Sequence, residues 1–280
     1  MQSITSNCSG AKAPILAIHG SAASGKQWKS LRLQLGEERK LLAPDLPGYG
    51  KNNPPNDSDA SGLAGRAQPM LKLLRQLKHP VHVVAHSFGA AIALELLRTS
   101  PQLVRSLWLY EPIVPSLLQH SGTDKDLALL SDLALLANML DRASGQVAMS
   151  AFVDFWHGDV RWAQLPDDRR AILADQASTV LRDFREAFSR SVPVAELKRY
   201  TAPVHIAVGE HTRQHATRMA SLLCALLPNS QTLRCADMGH MGPCTHSAQV
   251  NDSILDWIQR VEENRPGSAL SAPERTAAIA

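Results

Sequence analysis

A parallel, doubly wound α/β sheet interrupted by a helical insertion is the fold class this sequence predicts. Three observations carry that expectation. Short branched-apolar strand signals alternate with amphipathic helices from residue 14 to about residue 112. Helical spacing alone then takes over through about residue 200. The alternation resumes at residue 201 and runs to about residue 262. Alternating strands and helices imply parallel strands joined by right-handed crossovers. Such sheets bind ligands beyond the carboxyl ends of their strands. An insertion at that edge is expected to act as a cap over the site.

The elements follow in order. Pro14-Ile15-Leu16-Ala17-Ile18 reads as a buried strand ending in His19-Gly20. A loop of small residues, Ser21 to Gly25, leads to a short helix carrying Trp28, Leu31 and Leu35. Leu41-Leu42-Ala43 is the next strand, running into the turn-rich segment Asp45-Leu46-Pro47-Gly48-Tyr49-Gly50. Leu63 to Leu77 is helical, and Val81-His82-Val83-Val84-Ala85 is a β-branched strand. The helix Phe88 to Arg98 is apolar almost all round, which predicts burial. Val104 to Tyr110 is a strand. In the insertion, Leu130, Leu133, Ala137 and Leu140 share one helical face, and Val180, Phe184 and Phe188 share another. Pro203 to Val208 is a strand, followed by a helix striped with Ala216, Met219, Ala220, Leu223 and Leu227. Leu233 lies in a short strand, and Val250, Ile254, Trp257, Ile258 and Val261 mark a last helix. The expected division is 14–112 and 201–262 as one core, 113–200 as a helical cap, and 1–13 and 263–280 as flexible termini.

Composition excludes several function classes. The 280 residues are 44% hydrophobic, too apolar for a disordered chain. No run of about 18 apolar residues exists to span a membrane. The formal charge is only +3, and the basic residues are scattered in pairs such as Arg169-Arg170 and Lys198-Arg199. Nucleic-acid binding needs a basic patch or stripe, and none is visible. Cys8, Cys224, Cys235 and Cys244 form no CxxC pair, so neither a disulfide framework nor a zinc ribbon is expected. The thiols are expected to be free, in a cytoplasmic setting. The expected partner is a small-molecule substrate, without nucleic acid or membrane.

Three motifs carry chemistry. Ala85-His86-Ser87-Phe88-Gly89 joins a strand to a helix, as a nucleophile elbow does, with Ala in the first glycine position. Small residues two before and two after the serine permit the sharp turn that lifts its hydroxyl above the sheet. The helix N-terminus favours negative charge developing there. Gly239-His240-Met241-Gly242 falls between the last strand and the last helix. A serine hydroxyl is a weak nucleophile and needs an adjacent base, which His240 would supply. His19-Gly20-Ser21 ends the first strand, where a tetrahedral intermediate needs backbone N–H donors. Ser21 and Phe88 are the expected oxyanion donors. By contrast, His79, His120 and His246 read as surface histidines.

These segments, over roughly residues 14–262, resemble the α/β-hydrolase superfamily. Ile18-His19-Gly20, Asp45 to Gly50, the elbow and Gly239-His240 stand in that family's order. More narrowly, Ser24-Gly25-Lys26-Gln27-Trp28, Tyr110-Glu111-Pro112, Phe155-Trp156-His157-Gly158 and Gly239 to Pro243 are similar to a bacterial group of serine hydrolases with a helical cap and no assigned substrate. The resemblance implies a Ser87–His240–acid triad and no cofactor. Two departures stand out. The N-terminal hairpin that precedes the His-Gly strand is shortened. The family's usual acid follows the penultimate strand in a Gly-x-x-Asp pattern, but here the segment is Gly209-Glu210-His211-Thr212. Thr212 reads as the N-cap of the following helix. Three carboxylates compete for the role. Glu111 ends the strand after the nucleophile helix, where some members of the superfamily carry their acid. Glu210 is nearer the usual site, and Asp237 lies only three residues before His240. A chain with no working acid is the fourth possibility, and Glu111 is the choice carried forward.

Other patterns were weighed. Gly20 to Gln27 nearly fits a P-loop, but Gln27 replaces the Ser/Thr whose hydroxyl holds Mg²⁺. His211 and His215 are spaced like half of a metalloprotease motif, but the general-base glutamate is missing. They read as a solvated pair at a helix start, and no metal is expected. Asp45 reads as a turn residue. Trp156, Trp162, Phe152 and Phe155 lie in the cap, where substrate choice is expected to be decided. The function read from the sequence is serine hydrolysis of a small, largely apolar ester, thioester or amide. C–C bond hydrolysis, acyl transfer or perhydrolysis would use the same residues. A non-catalytic binding protein on this fold is the remaining alternative.

Overall fold

A computed structural model describes residues 12–52, 62–77, 79–158 and 160–263. Six parallel strands form one sheet in the order β2-β1-β3-β4-β5-β6. They are β1 (Ile15–Ile18), β2 (Leu41–Leu42), β3 (Val81–His86), β4 (Val104–Tyr110), β5 (Val204–Gly209) and β6 (Ser230–Cys235). The order reverses beside β1, the switch that leaves a crevice at the strand ends. No strand precedes β1 among the described residues. Most of the expected terminal segments, residue 8 and the Pro/Asn-rich stretch after residue 52 lie outside the described residues.

Period-2 alternation decides which helices cover which face. Leu16, Ile18, Val83, Ala85, Leu107, Leu109, Val204 and Ile206 point to one side. They pack on α2 (Gly62–Arg75), α3 (Phe88–Thr99) and α10 (Gln214–Leu226). Ile15, Ala17, Val84, Trp108, Tyr110 and Ala207 point to the other. There α1 (Lys29–Leu35) and α12 (Ser247–Glu263) cover them. Helix α3 is buried from Phe88 to Leu97, as its all-round apolar sequence predicts. At its start Gly89 is obligatory: a Cβ there would lie 2.6 Å from the His19 carbonyl oxygen. A short helix, α11 (Gly242–Thr245), precedes α12.

Between β4 and β5 come only helices. They are α4 (Ser116–Ser121), α5 (Asp124–Arg142), α6 (Gly145–His157), α7 (Asp167–Ala174), α8 (Ala177–Ser189) and α9 (Val194–Arg199). Their apolar faces, including Leu133, Leu140, Phe152, Val180 and Phe184, join the same core cluster as one sheet face. Burial of this kind contributes about 25 cal/mol per Å² of apolar surface removed from water. Three polar contacts from α10 add direction. Arg218 pairs with Asp126 at 2.7 Å, His215 faces Asp132 at 3.3 Å, and the Arg213 Nε–H donates to the Phe155 carbonyl. His215 is buried against the Phe155 ring rather than solvated, which corrects the expectation for it. No helix among the described residues is long and apolar enough to cross a membrane. Cys224, Cys235 and Cys244 are free thiols.

Candidate active site

The carboxyl ends of four strands converge. β3 leads directly into Ser87, whose φ of 55° is a region residues with a Cβ seldom adopt. The Ser87 N–H continues the ladder to the Tyr110 carbonyl at 3.0 Å. One residue later, β4 ends at Glu111, also at positive φ (44°), whose N–H donates to the Ala207 carbonyl at 2.8 Å. Strain of this sort persists where surrounding structure over-determines it.

His240 joins the two. Its Nε2 lies 3.0 Å from Ser87 Oγ, and its Nδ1 lies 2.7 Å from Glu111 Oε2. A carboxylate accepts but does not donate when ionised, so Nδ1 carries the proton and Nε2 is left to accept from the serine hydroxyl. All three residues are buried. A buried carboxylate is costly without donors. Glu111 has two besides His240: the Gly209 N–H at 2.8 Å on Oε1 and the Thr212 hydroxyl at 2.6 Å on Oε2. Thr212 is therefore not the N-cap of α10, a position Arg213 occupies. The Thr212 hydroxyl thus ties the loop after β5 to the carboxylate at the end of β4. Glu210 is exposed and accepts the Asp237 N–H at 3.3 Å. With His211 and Asp237 it forms an exposed group whose potential ligand atoms lie within 4.8 Å of one another. Neither Glu210 nor Asp237 is among the hydrogen-bond partners of His240.

The loop bearing His240 is pinned from below. The Tyr110 hydroxyl donates to the Gly239 carbonyl at 2.9 Å. His86 Nε2–H donates to the His240 carbonyl at 2.9 Å, and the two rings lie 4.9 Å apart. Burial first, then the neighbouring His240, pushes His86 well below the usual histidine range, so it stays neutral under the base. His157 is pushed down to about 3, by burial and then by His240. Trp156 covers the His240 ring from α6 at 4.7 Å.

On the other side of Ser87, Gly20 packs so closely that a Cβ there would sit 3.0 Å from the Ser87 Cβ. His19 accepts the Leu46 N–H at 2.9 Å on Nε2 and donates from Nδ1 to the Gly20 carbonyl at 2.7 Å. Burial lowers His19 to about 4. Ser21 and Phe88, the expected oxyanion donors, line one narrow cavity of about 20 Å³ with Ser87. The remaining wall is mostly apolar: Ile113, Phe152, Trp156, Phe184 and Ala187. Phe155 and Trp162 pack on the core instead. Asp45 is the turn residue expected, accepting the Gly25 and Lys51 N–H groups at 2.7 and 2.9 Å.

One polar group in this wall was missed in the sequence. Asp183 on α8 is buried and accepts from Ser21 Oγ at 2.6 Å, Tyr49 OH at 2.5 Å and Arg66 at 2.5 Å. Burial raises it to about 6 against the pull of Arg66. Arg66 also reaches Glu186 at 2.9 Å and the Pro47 carbonyl at 2.6 Å. The available signal was Asp183 and Glu186 lying i, i+3 on the apolar face of Val180, Phe184 and Ala187.

A model of the alpha/beta hydrolase family matches residues 15–252. The chain belongs to the alpha/beta hydrolase family. Within it, the chain is 23% identical over 269 residues to the magnesium-chelatase 30 kDa subunit of Rhodobacter capsulatus, covering 88% of this chain and 86% of that one. It is 37% identical over 106 residues to Lipase LipV of Mycobacterium tuberculosis (strain ATCC 25618 / H37Rv), 36% of this chain and 38% of that protein. A thermophilic esterase from Thermogutta terrifontis superposes with a TM-score of 0.70 at 18% identity, over 90% of this chain and 91% of that one. This last likeness concerns the alpha/beta hydrolase fold.

Proposed function

We propose that this alpha/beta hydrolase is a serine hydrolase acting on small, largely apolar carboxylic esters, thioesters or amides. The observation that carries the reading is the continuous chain Ser87 Oγ–His240 Nε2 and His240 Nδ1–Glu111 Oε2, at 3.0 and 2.7 Å. Ser87 Oγ bonds to the carbonyl carbon as its proton passes to His240 Nε2. The oxyanion is held by the Ser21 and Phe88 N–H groups, and Glu111 stabilises the imidazolium. His240 then protonates the leaving alcohol, thiol or amine, whose bond to the acyl carbon breaks. A water molecule gives a proton to His240 and attacks the acyl-enzyme. The Ser87–acyl bond breaks, Ser87 recovers the proton and the acid departs. Residues 113–200 act as a cap, and its aromatic side chains make the acyl pocket apolar. The lipase and esterase among the relatives agree with this class of reaction.

The test is labelling by a fluorophosphonate probe, which phosphonylates activated serines. The intact protein should label at Ser87, and Ser87→Ala should not. No labelling of the intact protein would refute the reading. A second reading has one observation behind it: the relative matched along most of its length is named as a chelatase subunit. A protein that never labels, yet binds a partner chain through its cap, would favour that reading.

A further inference from the structure

We infer that Asp183, on helix α8, is a positioning residue that holds Ser21 so that the Ser21 N–H faces the cavity. The inference rests on the hydrolytic reading above. It makes the helical segment between β4 and β5 part of the catalytic apparatus as well as a wall.

The loop after β1 is tied to this carboxylate at Ser21, whose Oγ donates to Asp183 Oδ2 directly, at 2.6 Å. Tyr49 OH donates to the same oxygen at 2.5 Å. Ala22 has a φ of 56°, which a residue with a Cβ holds only when its surroundings impose it. The opposite side of the loop is closed by Gly20 against Ser87. The turn is therefore clamped between the nucleophile and α8. Asp183 is poorly placed to read substrate instead, because its two oxygens already accept three donors. Arg66 is likewise engaged by Asp183, Glu186 and Pro47.

The experiment compares Ser21→Ala, Asp183→Asn, their double variant and Ser21→Thr in the full chain. The readouts are p-nitrophenyl ester turnover and the fluorophosphonate labelling rate at Ser87. Each of the first two should lower kcat about tenfold with KM changed less than about twofold, as for an interaction felt only in the transition state. That loss is smaller than the 10²–10³ for deleting an oxyanion donor, since the N–H itself remains (about one anchor is removed). The double variant should be no slower than the slower single one. Ser21→Thr keeps the hydroxyl and should restore most of kcat. Losses that multiply in the double variant would overturn the inference. So would a Ser21→Ala enzyme with the parent kcat, an arm that stands even if Asp183→Asn does not fold. Labelling of the parent protein with unaffected variants would refute this inference alone. A parent protein that never labels would refute the hydrolytic reading and this inference together.

Discussion

The Thr212 hydroxyl donates to Glu111 Oε2 over 2.6 Å, on the same oxygen that faces His240 Nδ1. Thr212, at the position where this family usually carries its acid, thus donates to the carboxylate at the end of β4. Replacing Glu111 by Gln keeps the shape and removes the charge. The expected loss in kcat is on the order of 10⁴, the cost of losing tautomer control in a serine protease. Glu210→Gln, at the exposed carboxylate, should change kcat less than about twofold, because exposed charges contribute little. Ester hydrolysis by the two variants checks the pair, and equal losses would count against Glu111.

The same proximity makes a relocation testable. Position 212 touches the carboxylate that touches the histidine, so a carboxylate there approaches Nδ1 from its own loop. Glu111→Gln combined with Thr212→Asp should recover at least about tenfold of the kcat lost in Glu111→Gln alone, consistent with coupling between contacting residues. A double variant as slow as Glu111→Gln would mean that the β5 loop cannot bring an acid to the base.

Acid should destabilise the fold in a defined window. His19, His82 and His205 are each lowered to about 4, and His157 to about 3, with burial the largest cause in every case. An unfolded histidine titrates near 6.5, so between that value and about 4 the unfolded chain binds more protons than the folded one. Stability is then fully present above about pH 6.5 and falls as pH drops towards 4. Asp183 works against this, since a carboxyl raised to about 6 favours the folded state as pH falls below 6. Four histidines outweigh one aspartate, so the melting temperature should drop between pH 7 and pH 4.5. A flat profile measured by circular dichroism would contradict the burial of these histidines.

Crowding at Gly20 gives a fourth outcome. Its backbone is not in the glycine-favouring region, so alanine fails only by contact, with Ser87 Cβ at 3.0 Å and His86 Nδ1 at 3.2 Å. Gly20→Ala should displace the nucleophile and cost at least about tenfold in kcat, with about 1–3 kcal/mol of overpacking strain in stability. Kinetics together with a urea melt would separate the two effects, and an enzyme of unchanged kcat would show that the serine can move freely.

Most of the sheet was legible because its strands are short apolar runs between strong turn signals. The turns at Ser87 and His240, whose side chains the fold brings within 3.0 Å of each other, were legible because tight turns demand particular small residues beside them. Glu111 could be named only as one of several carboxylates, since pairing across a sheet is not written in spacing. What escaped was polarity whose partners are remote in the chain. Asp183 meets Ser21 across 162 positions and Arg66 across 117. Thr212 looked like a cap because a hydroxyl before a helix usually is one. Here a buried carboxylate 101 positions away offered it a stronger acceptor. His215 looked solvated because its neighbours are polar, but α5 and α6 fold over it.

The contact of Ser87, His240 and Glu111 draws on few parts of the chain. Ser87 and Glu111 belong to one β3–α3–β4 crossover, and the Ser87 N–H is bonded to the residue just before Glu111. His240 reaches Glu111 from 129 positions further along the chain. The histidine loop and the β5 side, which holds Glu111 through Ala207, Gly209 and Thr212, must both be aligned against that unit. The end of β5 and the loop after it contribute the Gly209 N–H and the Thr212 hydroxyl to the carboxylate, which ties the length of that loop to where Glu111 lies.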